Sequence, residues 1–203
     1  MVMKPRILVA GIGNIFLGDD AFGCEVAQRL AGRTAPENIR VVDYGIRGYD
    51  LAYALMDDYA VAILIDATPR GGQPGTLYTL EIDTGAMKSA SSDPHGMDPV
   101  HVLAMVGAMG GKPPRIYLVG CEPGETEERM GLSEPVQAAL DGAVEMVESL
   151  IKRIEQGAEH EQLSESGLHH GGSGCGHRDL PGHQALHPHQ HDVSISTGGK
   201  TCV

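Results

Sequence analysis

Residues 6–30, RILVAGIGNIFLGDDAFGCEVAQRL, decide the fold, because an apolar run, a glycine-rich loop and an amphipathic stripe follow one another there. The run at 7–10 has the length and composition of a buried strand. Phe22, Val26 and Leu30 then recur every four residues, which is the spacing of one helix face. This stretch therefore predicts a strand, a loop and a helix.

The same alternation of apolar runs and amphipathic segments continues to about residue 154. It predicts further strands at 39–42, 61–65, 76–82 and 116–119, and helices at 50–58, 98–109 and from Ser133 to Ile154. The strand at 76–82 alternates in polarity, which is typical of an edge or antiparallel strand. Strands that alternate with helices indicate an α/β domain with a mostly parallel, twisted sheet covered on both faces.

The last part of the chain differs in composition from the rest. We place a single domain at residues 1–156 and a tail rich in Gly, Ser, His and Gln at 157–203, which we expect to be disordered because it has few large apolar side chains. The tail holds eight of the ten histidines, densest at 175–177 and 187–191. Such tracts bind nickel or zinc weakly, and the alternative is a polar extension with no metal role.

Charge and cysteine content exclude several classes of function. The formal net charge is −12, with 27 acidic and 15 basic residues, which disfavours a nucleic-acid partner. No run approaches the roughly 20 apolar residues of a membrane helix. The four cysteines lie far apart without a CxxC pair, so we expect a soluble protein of the reducing cytoplasm.

Three acidic or basic side chains lie where a parallel sheet places its functional groups, just beyond the carboxyl ends of strands. Asp20 follows the first strand, Asp66 follows the apolar run at 61–65, and His95 lies in a loop after the next strand. Two carboxylates and an imidazole suit a borderline divalent ion such as nickel or zinc and leave positions open for other ligands. The sequence thus suggests a metal site, provided that the three meet.

Other interpretations of the same residues stay open. Asp66 also suits a helix cap or a hydrogen bond to a neighbouring loop, and His95 also suits an ordinary surface loop. A dinucleotide site is excluded, because GxGxxG requires Gly where the chain has Phe16. The GxxxxGK[ST] and GxSxG motifs are absent, and we interpret Cys24 and Cys121 as structural.

Several motifs occur together and in a fixed order. They are GIGNIFLGDDAFG at 11–23, Asp43 with Gly45 and Gly48, Ile65-Asp66-Ala67, DPHGM at 93–97 and LVGCEP at 118–123. Over residues 5–155 this set resembles the nickel-iron hydrogenase maturation endopeptidases. Two features depart from that pattern: the loop after Asp43 reads Tyr-Gly-Ile-Arg-Gly, and the His-rich tail is not general in the family.

The resemblance implies a three-layer α/β/α sandwich that removes a C-terminal extension from the hydrogenase large-subunit precursor once nickel is loaded. The implied metal-binding and catalytic positions are Asp20, Asp66 and His95, and Asp43 and Asn14 are the implied substrate-recognition positions. The nickel would come with the precursor, with zinc or cadmium substituting in vitro. The expected partner is that precursor, and the enzyme itself is expected to be a monomer.

Two rival functions remain at this stage. In the first, the protein is a non-catalytic nickel-binding or nickel-delivery module, which would bind metal tightly and cleave nothing. In the second, it is a small-molecule hydrolase of the same fold, which would act on simple substrates without any hydrogenase.

Overall fold

The computed structural model describes residues 4–33, 36–83 and 99–166. In chain order they form β1 (Ile7–Ile12), a short 3-10 helix (Gly18–Ala21), α1 (Phe22–Ala31), β2 (Ile39–Gly45), α2 (Gly48–Ala54), β3 (Val61–Ala67), β4 (Leu77–Ile82), α3 (Pro99–Ala108), β5 (Arg115–Cys121) and α4 (Glu134–Ser166). The strands make one sheet in the order β2-β1-β3-β5-β4. Only the edge strand β4 runs antiparallel to its neighbour among these strands, so the α/β prediction and the predicted antiparallel edge are confirmed.

Two apolar cores lie on opposite faces of this sheet. Leu8 and Ala10 of β1 face a core shared with α2 and α3. Ile7 and Val9, the alternate residues, face a second core shared with α1 and α4. Because both faces are covered, β1 and the part of β3 from Val61 to Ile65 have apolar residues at consecutive positions rather than at every second one. The molecule is therefore a three-layer α/β/α sandwich.

Helix α1 lies in direct backbone contact with the sheet. A side chain at Gly23 would put its Cβ 2.1 Å from the carbonyl oxygen of Ile65 and 2.3 Å from that of Ile12. A Cβ at Gly11 would likewise lie 2.2 Å from the carbonyl oxygen of Gly23. Glycine at both positions thus lets the first turn of α1 rest on the carboxyl-terminal parts of β1 and β3.

Two helices differ in length from the sequence prediction. Helix α2 ends at Ala54 rather than at residue 58, because Asp57 and Asp58 are unfavourable at a helix C-terminus and the chain turns there to bury Tyr59. Helix α4 continues to Ser166, beyond the predicted end at Ile154, through a segment that contains the helix-favouring residues Glu and Gln.

The predicted boundary at 156/157 therefore falls inside α4, and the rest of the predicted tail, 167–203, lies outside the described residues. None of the described helices has both the length and the apolar character needed to cross a membrane.

Replacing Gly23 by Ala should lower the free energy of unfolding by about 3 kcal/mol, because backbone atoms rather than side chains would have to move. The matched control is Gly32→Ala at the other end of α1, where the added Cβ would find its nearest neighbours at 3.6 and 3.7 Å. That change should alter stability by less than about 1 kcal/mol. Urea unfolding of both variants checks this, and equal stabilities would contradict the close-contact argument.

Candidate metal and substrate site

The functional crevice of an open α/β sheet forms where consecutive connections leave in opposite directions. Here the chain passes from β1 to β2 on one side and then crosses to β3 on the other, so the switch point lies between β1 and β3. Asp20 is on the 3-10 helix that follows β1, and Asp66 is the penultimate residue of β3. The 3-10 helix contacts β3, so both carboxylates belong to the same edge of the sheet.

Asp20 is half-buried and tied to its own loop. Its Oδ2 accepts a hydrogen bond of 2.6 Å from the backbone N–H of Asn14. Burial raises the pKa of the Asp20 carboxyl above its ordinary value, and the bond from Asn14 opposes that shift without cancelling it. Within the described ranges, no hydrogen bond to Oδ1 accompanies the bond to Oδ2.

Asp66 is buried, with 5% of its surface exposed. Strand β3 runs through it rather than ending before it, and it pairs with Gly120 of β5. Its Oδ2 accepts a hydrogen bond of 3.3 Å from the hydroxyl of Thr68, which is the neighbouring-loop contact that the sequence left open as one alternative.

The third predicted ligand, His95, lies outside the described residues. Within those residues no three His, Cys, Asp or Glu side chains are grouped to hold a metal ion. Asp20 and Asp66 lie on two elements that contact each other at the switch point. This pair fits a divalent cation in donor chemistry and in its shared location, and the three-ligand site remains a prediction.

A cleft of about 300 Å³ opens between the loops that follow β1 and β2. Both predicted recognition residues line it. Asn14 is held by its Oδ1, which accepts a bond of 3.0 Å from the N–H of Phe16, and Asp43 accepts a bond of 2.9 Å from Gln28. Asn14 therefore links Asp20 to the cleft. Its backbone N–H donates to the Asp20 carboxylate, and the residue lines the cleft.

Large apolar side chains are exposed around the cleft. Phe16 is 61% exposed, Ile46 59% and Ile15 41%, and all three line it. Arg47 completes the same rim, with its guanidinium donating to the backbone carbonyls of Asp43 and Tyr44. Exposed apolar groups at the mouth of a cleft are typical of a surface that binds a partner chain.

Sequence reasoning missed two acidic residues that organise the site. Asp19 is fully buried and Glu122 is 5% exposed. Burial tends to raise the pKa of each carboxyl, but backbone N–H donors outweigh it and hold both below their ordinary values. Their donors lie about 50 and 100 residues away in the chain, at Arg70 and Gly71 for Glu122 and at 124–133 for Asp19, so no local pattern reveals them.

The two described cysteines are buried and unreactive in character. Burial, followed by the charge of Asp43, raises the pKa of the Cys24 thiol to about 12. Burial, followed by the charge of Asp19, raises the pKa of the Cys121 thiol to about 11. Their interpretation as structural residues rather than nucleophiles agrees with this environment.

The fold and the position of the crevice are those of an α/β enzyme with its site at the carboxyl ends of the strands. Comparison with known proteins is more specific. A family model described as hydrogenase maturation protease matches residues 24–150, more than half of the chain. The chain belongs to the hydrogenase maturation protease family.

Individual relatives agree with this assignment. The chain is 36% identical over 149 residues to the hydrogenase expression/formation protein HupD of Rhodobacter capsulatus, covering 70% of this chain and 69% of that protein. The structure of the hydrogenase maturating endopeptidase HybD from Escherichia coli matches with a TM-score of 0.63 and 30% identity over 73% of this chain and 93% of that one. A hydrogenase 2 maturation peptidase from a Thaumarchaeota archaeon matches with a TM-score of 0.57 and 32% identity over 71% and 97%.

Cys24 and Cys121 should resist alkylation in the native protein. At pH 8 their raised pKa values lower the thiolate fraction roughly 100- to 1000-fold relative to an ordinary thiol, and burial slows access further. Peptide mapping after iodoacetamide treatment, with and without urea, measures each cysteine separately. Labelling of these two at equal rates in both conditions would contradict the described environment.

Proposed function

We propose that this protein is an endopeptidase that removes the C-terminal extension of a nickel-loaded nickel-iron hydrogenase large-subunit precursor. The observation that carries the proposal is that Asp20 and Asp66 both lie at the switch point, and that Asn14, which binds Asp20, lines an open, apolar-rimmed cleft. Membership of the maturation protease family supports the class of reaction. To this class of reaction the proposal adds the identity of the metal and of the cleaved segment.

In this proposal nickel is part of the substrate. Asp20, Asp66 and His95 supply a partial ligand set, and the precursor's own cysteines supply the rest of the coordination. Processing then requires that nickel has already been inserted, because an empty precursor offers nothing for the three side chains to bind. Zinc or cadmium would occupy the same ligands in vitro.

The proposed chemistry needs only an oriented carbonyl and an oriented water. A divalent cation polarises the scissile carbonyl as a Lewis acid, and one of the two carboxylates orients the attacking water. The cleft at Asn14 and Asp43 receives the peptide that flanks the bond, with Asp43 in a position to accept hydrogen bonds from it. The exposed Phe16 and Ile46 then contact apolar groups of the precursor.

Asp20→Asn, Asp66→Asn and His95→Ala should each abolish processing of a nickel-loaded precursor while the protein stays folded. The two Asp→Asn changes remove an anionic ligand and nearly conserve side-chain volume. The His95→Ala change removes the imidazole ligand. Intact-mass measurement of the precursor after incubation shows whether the extension has been removed. Asp57→Asn, an exposed aspartate in the turn after α2, is the control and should leave processing unchanged.

The same assay separates the rival functions. If all three variants remained active, this site would be excluded. Tight nickel binding by the isolated protein without any cleavage would favour a metal-delivery module. Turnover of simple esters or peptides without hydrogenase would favour a small-molecule hydrolase, whereas cleavage that depends on nickel in the precursor supports the proposal.

Phe16→Ser should raise the KM for the precursor roughly five- to tenfold, the effect of losing about 1 kcal/mol of apolar contact, with little change in kcat. Tyr53→Ser is the control, because Tyr53 is equally exposed, at 61%, but lies on α2 and does not line the cleft. Steady-state processing kinetics give both constants. An equal rise in KM for the two variants would show that the cleft rim has no special role.

A further inference from the structure

The buried carboxylate of Asp19 accepts four hydrogen bonds from a single distant segment. Its Oδ2 accepts from the backbone N–H groups of Gly124 and Glu125, both at 2.8 Å, and from the hydroxyl of Ser133 at 2.8 Å. Its Oδ1 accepts from the backbone N–H of Ser133 at 2.6 Å. All of these donors belong to the connection between β5 and α4, which we call the 122–133 segment.

Backbone hydrogen bonds reinforce the same contact. The N–H of Asp19 donates to the carbonyl of Glu125 at 2.7 Å, and the N–H of Gly18 donates to the carbonyl of Arg129 at 2.8 Å. In return, the N–H of Arg129 donates to the carbonyl of Phe16 at 3.0 Å. The 122–133 segment is therefore hydrogen-bonded to the backbone of residues 16–19, at the start of the 3-10 helix.

The opposite side of the 3-10 helix is equally constrained. The carbonyl oxygen of Asp20 lies against Gly13, where an added Cβ would approach it to 1.8 Å. The Asp20 carboxylate is bound by the N–H of Asn14. With Asp19 anchored on one side and Gly13 and Asn14 on the other, the backbone of Asp20 has little freedom to rotate.

We propose that Asp19 is a positioning residue, which holds the neighbouring Asp20 carboxylate in the orientation needed to bind the cation. This inference rests on the proposed function, since it assigns to Asp20 the role of ligand. The two adjacent aspartates then have different roles. The carboxylate of Asp19 accepts hydrogen bonds from the protein, and the carboxylate of Asp20 binds the cation.

The chemistry of the donors requires a charged group at position 19. The three donors at Oδ2 converge on one oxygen, so an amide nitrogen in its place would present N–H groups to N–H and O–H groups. Flipping the amide would instead set its nitrogen against the N–H of Ser133. Asparagine therefore fits the volume but not the hydrogen-bonding pattern, which makes it a sharp probe.

Asp19→Asn in the full-length protein is the main test, with Ser133→Ala as a milder variant that removes one donor and leaves the backbone bond. The control is Glu125→Ala, which deletes the exposed ion pair between Glu125 and Arg129 but keeps the Glu125 N–H that binds Asp19. Thermal unfolding of each variant defines a temperature at which all are folded. Measurements below that temperature remove any contribution from a loss of stability alone.

Two readouts report on position rather than on folding. The first is the amide of Asn14, whose chemical shift and hydrogen exchange depend on its bond to Asp20. The second is the affinity for Cd²⁺ as the metal probe, measured by calorimetry, together with kcat on nickel-loaded precursor. We expect Asp19→Asn to shift the Asn14 amide and to lower both Cd²⁺ affinity and kcat at least tenfold, Ser133→Ala to do so by less, and Glu125→Ala to change nothing.

The outcomes separate this proposal from the proposed function. A folded Asp19→Asn variant with a normal Asn14 amide and normal Cd²⁺ affinity would overturn the positioning role, even if the wild type cleaves its precursor. If Asp19→Asn does not fold, an unchanged Asn14 amide and Cd²⁺ affinity in Ser133→Ala would overturn it equally. A wild type without cleavage would instead count against the protease assignment, while a displaced Asn14 amide in the variants would still support positioning of Asp20.

Discussion

The contact between the first turn of α1 and the ends of β1 and β3 is the constraint on which the rest of the structure depends. Gly23 has no room for a Cβ between the carbonyl oxygens of Ile12 and Ile65, so helix and sheet meet through their backbones. This closeness leaves the chain only a short path from β1 to α1. The loop and the 3-10 helix that form this path therefore lie at the switch point, and Asp20 is on this 3-10 helix.

Three of the carboxylates near this edge of the sheet differ in their hydrogen-bond donors and in the direction of their pKa shifts. Asp19 and Glu122 are buried acceptors of several N–H donors, which keeps their pKa values low and consumes their charge within the protein. Asp20 accepts one backbone bond from the described residues, and burial raises its pKa. A site in which adjacent acids experience opposite environments separates structural anions from those that remain available for chemistry.

Much of the architecture followed from local pattern. Apolar runs predicted the parallel strands, because strands covered on both faces are largely apolar, and alternating polarity predicted the antiparallel edge strand β4. The stripe of Phe22, Val26 and Leu30 predicted α1, and all three are buried as expected. Prediction was less accurate for two helix ends, since α2 ends at Ala54 and α4 continues to Ser166.

The candidate site was accessible to sequence reasoning only in part. Asp20 and Asp66 could be proposed because parallel strands bring their carboxyl ends to one edge, a rule that holds whatever the loops contain. The hydroxyl of Ser133, just before α4, donates to Asp19, 114 residues away in the chain. The cleft beside Asn14 and Asp43 likewise depends on two loops that are remote in sequence.

By itself, the sequence determined the α/β class, the order of the elements and the family, because these depend on periodicity and on motifs that are each local in the chain. Only the tertiary structure decided which of the two adjacent aspartates is anchored by the segment between β5 and α4. The two have the same chemistry and neighbouring positions, and they differ in the donors that folding brings to Asp19 from 105 to 114 residues away, whereas Asp20 is bound by the nearby Asn14. That difference is a property of packing, so no local pattern contains it.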